Sequence, residues 1–166
     1  MSTPSQTAAD PAGYALAFDE AKRALDDQER VLDELHTRAA TLIAAAALVT
    51  SFFGGQVLHA GHVPTFGWIA LTFFVLLAIC VLVVLWPRRH WEFDVSPASL
   101  IATYLEPTAG SPTPLPDIQR DLALHMGNAA DSNRDVMKVL FVAFRAGTVA
   151  LVLEVLAWVI LLAGVA

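Results

Sequence analysis

Apolar residues fall into three long blocks in this chain, separated by stretches of mixed polarity. The first, AATLIAAAALVTSFFGGQVL, covers residues 39–58, and the second, FGWIALTFFVLLAICVLVVLW, covers residues 66–86. The third starts at Val139 and continues to residue 166. Each reaches the length of about 20 residues that a helix needs to cross a bilayer. The first block lies behind a long charged segment and is followed at once by a second, so it reads as a span and not as a cleaved leader. The pattern predicts an all-α membrane protein with three transmembrane helices.

The intervening stretches carry their own periodicity. Residues 1–12, MSTPSQTAADPA, are small and polar and are expected to be a disordered tail. From residue 14 to 38 the sequence is helical in character, with Phe18, Ala21, Leu25, Leu32 and Leu35 in a heptad that continues to Ala39 and Leu42. Gln28 is the one polar member. Asp19 with Arg23 and Asp26 with Arg30 stand at i,i+4 spacing. No helix breaker follows Arg38, so one helix is expected to run into the first span.

In the second connection, residues 87–138, Ser96 and Pro97 read as cap and first turn of a short helix ending at Pro107. After a Pro-rich loop, Asp117 is expected to cap a long helix with a seam of Ile118, Leu122, His125, Ala129, Ser132, Val136 and Val139. Extensions of spans 1 and 3 would then form a parallel cytoplasmic stalk, with Leu25, Leu32 and Leu35 facing Ile118, Leu122 and Val136. Residues 13–166 read as one membrane domain.

Charge adds an orientation. Nine of the ten Lys and Arg lie before the first span or between the second and third, the tenth, Arg145, lies near the start of the third, and none lies in the short loop HAGHVPT. The positive-inside rule places the N-terminus and the long connection in the cytoplasm, with the C-terminus outside. Trp68, Trp86 and Trp91 fall near the predicted boundaries. With 56% hydrophobic and 16% charged residues, the chain lacks the basic footprint of a nucleic-acid binder. Its single cysteine, Cys80, excludes an internal disulfide framework. No P-loop, GxSxG or HExxH pattern is present, so neither enzyme activity nor a cofactor is expected.

Glu154 is the outlier, a carboxylate inside the third apolar block. Its helical face is shared by Ala143, Gly147, Ala150 and Ala157, and small stripes are where membrane helices approach closely. Ala40, Ala44, Ala47, Ser51 and Gly55 form a matching stripe on the first span, which makes Thr50 or Ser51 the expected hydrogen-bond partner. Two readings stand: a glutamic acid locked between helices, which is the one expected, or a carboxylate lining a water-filled path in an oligomer. His59 and His62 read as interface polar residues rather than metal ligands. His36 and His125 read as satisfied or solvent-facing.

The cytosolic helix entering span one as LDELHTRAATLIAAAALVTSFF, the tight hairpin, and the last helix NRDVMKVLFVAFRAGTVALVLEVLAWVILL resemble the transmembrane effectors of pyrimidine-cyclase (Pycsar) anti-phage systems. The related SLATT-type effectors of bacterial conflict systems are also similar. The resemblance covers roughly residues 14–166. It implies a bacterial inner-membrane effector that responds to a cyclic nucleotide, forms a homo-oligomer and impairs membrane integrity. The residues also leave open a non-catalytic scaffold or an accessory transporter subunit with a docking stalk.

Overall fold

The computed structural model describes residues 11–59, 64–86, 97–105 and 113–164. The expected N-terminal tail, apart from its last two residues, lies outside them, as do Ser96, His62 and Trp91. Among the described residues, every regular element is helical. Helix α1 spans Pro11–His59, α2 spans Thr65–Leu85, and a short α3, Pro97–Leu100, passes into a π-helical turn at Ile101–Leu105. Helix α4 spans Leu115–Gly164. Three of these, α1, α2 and α4, are long and apolar enough to cross a membrane.

Packing divides the chain into two compact units, Met1–Glu29 with His90–Arg134, and Arg30–Arg89 with Asp135–Ala166. In the first, more polar unit, Leu25 packs against Ala129 and Ala130, with Met126 beside them. Gln28 donates from Nε2 to the Ala130 carbonyl at 2.9 Å. A buried leucine of this kind contributes about 1.5–3 kcal/mol in water. The backbone N–H of Thr113 donates to the Tyr104 carbonyl at 3.0 Å, tying the π-helical turn to the approach of α4.

The start of α4 differs from expectation. The Pro114 carbonyl accepts from the N–H of Asp117 at 3.0 Å and of Ile118 at 3.2 Å. Asp117 therefore sits inside the first turn and not at the cap, where its charge still favours the helix N-terminus. Pro116 explains the shift: it has no N–H to satisfy and a φ already suited to a first turn. In the same way the Pro64 carbonyl accepts from Gly67 and Trp68 to open α2.

The second, apolar unit is built from the three long helices. Along α2 the buried residues are Gly67, Ala70, Leu77, Val81 and Val84, positions on one narrow stripe. The rest of α2 points large apolar groups outward, among them Trp68, Val75, Ile79 and Leu82. A helix apolar on every side yet packed on one is what a bilayer permits and water does not. Ala70, Ala157, Trp158 and Leu161 form the core at one end, packed by Val49, Phe53 and Val57 of α1.

Two local pairings correct the sequence reading. Arg23 reaches Glu20 at 3.8 Å and not Asp19, and Asp26 and Arg30 are exposed and form no ion pair among the described residues. These surface contacts contribute little to stability, so the choice of partner is set by side-chain reach alone.

Candidate functional site

Glu154 lies in the apolar unit with no exposed surface. Gly147, Ala150 and Ala157 on the same face of α4 are buried with it, and their small size lets the neighbouring helices close over the carboxyl. Gly147 marks the tightest approach. A Cβ added there would lie 3.3 Å from Cys80 Cβ on α2 and 3.4 Å from Leu42 Cδ2 on α1.

Thr50 Oγ1 donates its hydrogen bond to Glu154 Oε1. This is unusual for a hydroxyl on these helices. Thr37, Thr41, Thr72 and Thr148 all donate to the carbonyl four residues earlier, at 2.9–3.0 Å. Thr50 instead sends its donor across to another helix, which ties α1 to α4. Glu154 Oε2 and Trp158 Nε1, one turn apart, are buried and close no hydrogen bond of good geometry. The Trp158 N–H nonetheless lies near enough to act on the carboxyl electrostatically. Trp158 also stacks on Phe53 of α1, with centroids 6.0 Å apart.

Of the two hydroxyls expected beside Glu154, Ser51 is not its partner. It is exposed, because one residue along a helix turns about 100° away from Thr50. The expected small stripe of α1 turns with it. Ala40, Ala44 and Ala47 face outward, and Ala39, Leu42, Ala46, Val49 and Phe53 supply the packed face. The stripe of α4 holds as expected, with Ala143 half-buried.

The seam residues divide between the two units. Leu25, Ile118 and Leu122 belong to the polar unit, and Leu32, Leu35 and Val136 to the apolar unit. Leu25 and Leu35 are buried, and Leu32, Ile118, Leu122 and Val136 are half-buried. His125, Ser132 and Val139, also expected on the α4 seam, are exposed. Met126, Asn133 and Leu140, one residue further on, take their places, half-buried in the first case and buried in the others.

Three features escaped the sequence reading. His36 Nε2 lies 3.1 Å from the Val84 carbonyl, in the last turn of α2, and so supplies a donor to a helix end. Gln28 spans from α1 to α4, as its place in the heptad could have suggested. A groove of about 370 Å³ in the polar unit, lined by Leu100, Thr103, Tyr104, Asp121, Leu122 and His125, depends on the π-helical turn, which no sequence periodicity announces. Of His59, the structure describes only that it ends α1.

No protein-family model matches the chain, and no curated protein or solved structure matches it.

Proposed function

We propose that this chain is a multi-pass protein of the bacterial plasma membrane, with its N-terminus in the cytoplasm and its C-terminus outside, that acts as an effector on the membrane itself. Copies assemble in response to a cyclic nucleotide signal and impair membrane integrity, without catalysis. The observation that carries this reading is the enclosed Glu154, held by Thr50 among three apolar helices. An ionisable group retained inside a span points to work done within the bilayer. The outward apolar faces of α1, α2 and α4 supply the lipid contact. The nucleotide would act through the polar unit, where Tyr104 offers an aromatic face beside the groove.

A second reading, a scaffold or accessory subunit with a coiled-coil docking stalk, is favoured by one observation. The polar unit packs Leu25 against α4 and bridges it with Gln28, as a heptad seam does.

Induced expression with a membrane-potential dye separates the two. The effector reading expects depolarisation that scales with protein level, and an unchanged potential at every level would favour the scaffold. The enclosed position of Glu154 adds a finer expectation: Glu154→Gln keeps an acceptor for Thr50 and should depolarise as wild type does. Loss of leak in that variant at equal expression would make the carboxylate a pore-lining charge instead.

A further inference from the structure

We infer that Gln28 and Asn133 hold a buried water molecule between α1 and α4, one that accepts from the asparagine and donates to the glutamine. Both residues belong to the polar unit, and the site is independent of any action on the membrane.

Gln28 is the one polar residue of the α1 heptad, and its amide is docked in a fixed sense. Nε2 donates to the Ala130 carbonyl at 2.9 Å, so the reverse orientation would set two oxygens against each other. That leaves Oε1 as a buried acceptor with no donor among the described residues. On α4, Asn133 is 4% exposed, and its Nδ2 is a buried donor with no acceptor among them. A helical carbonyl points toward the C-terminus of its helix, and side chains lean back toward the N-terminus. An amide seated on the Ala130 carbonyl therefore lies beside the side chain one turn on, that of Asn133.

One amide is short of a donor and the other of an acceptor, and they do not bond each other. A water supplies both, and polar partners on either side are what a buried water needs. Left unmet, the pair would weaken the seam, because neither group reaches solvent. The neighbours buried beside them, Ala129 and Ala130, are small and leave that layer of the seam to the amides. The water also fixes a register, since sliding α1 by one turn along α4 would strand both side chains.

The test uses nuclear magnetic resonance on the full chain in detergent micelles, with isotope-labelled asparagine and glutamine side chains. The chain has two asparagines, and the exposed Asn128 serves as the internal control. The Asn133 amide protons should show a cross-peak to water with the sign of dipolar transfer in the rotating frame, which proton exchange does not give. Asn128 should show none. Asn133→Leu keeps bulk and removes the donor, stranding the water and Gln28 Oε1 together, and should lower the folding equilibrium constant about tenfold. No such cross-peak on Asn133 would overturn the water, whether the amides then bond each other or stay unmet. An Asn133→Leu chain as stable as wild type, or more so, would overturn it too, because an apolar side chain improves on a dry, unmet amide.

Discussion

At the scale of single residues, the apolar unit joins its helices at one donated hydrogen bond and one missing side chain, besides its buried core. Thr50→Val keeps the shape of the threonine and removes its donor, leaving the Glu154 carboxyl without that bond. The expected loss is about 0.6–2 kcal/mol, read as a lower unfolding midpoint in detergent, and Thr50→Ser should recover most of it. A midpoint unmoved by Thr50→Val would show that the bond contributes nothing to holding α1 against α4. Gly147 makes a separate test. Leu42 Cδ2 is the end of a flexible side chain and can turn aside, whereas Cys80 Cβ is fixed to its backbone. Gly147→Ala should therefore destabilise modestly, and Cys80→Gly in the same chain should relieve it. If the two changes instead add, the contact between them is not the source of the strain.

At the scale of helices, the heptad explains both what could be read in advance and what could not. Leu25, Gln28, Leu32, Leu35, Ala39 and Leu42 were legible because charged residues surround the first four and fix the phase. On α4, Leu122 and Val136 are half-buried and Ala129 is buried, whereas the alternate expected positions, His125, Ser132 and Val139, are exposed. Where polar and small residues occur on several faces, a spacing of 3 or 4 fits equally well. Counting back by sevens from Gly147 gives Leu140, Asn133 and Met126, the positions the fold uses. The α1 stripe was misassigned for a related reason: alanines occupy nearly every face of residues 39–47, so size alone could not choose one. The end of α2 yields its own test. His36→Ala removes the group facing the Val84 carbonyl and should cost about 0.5–1.5 kcal/mol, checked by thermal unfolding against His36→Gln, which keeps a donor. Equal stability of all three chains would mean that water serves the carbonyl as well.

For the molecule as a whole, the three candidate spans were the most legible feature, because length and apolar composition decide them without reference to packing. Reporter fusions test the orientation. Fusions after residue 166 should be active only outside the cytoplasm, and those in the connection between α2 and α4 only within it; the reverse would invert the assignment. The grip of Thr50 on Glu154 also bears on biosynthesis. The first two spans leave the ribosome well ahead of their carboxyl partner, with about 70 residues between Leu85 and Glu154 still to be made. At about 5–20 residues per second that interval lasts about 4–14 s. In a membrane, α1 and α2 would therefore be in place first, with the Thr50 hydroxyl present before its carboxyl partner is made. The segment bearing Glu154 would then meet a protein surface and not bare lipid, which would make the two earlier helices a chaperone for the last one.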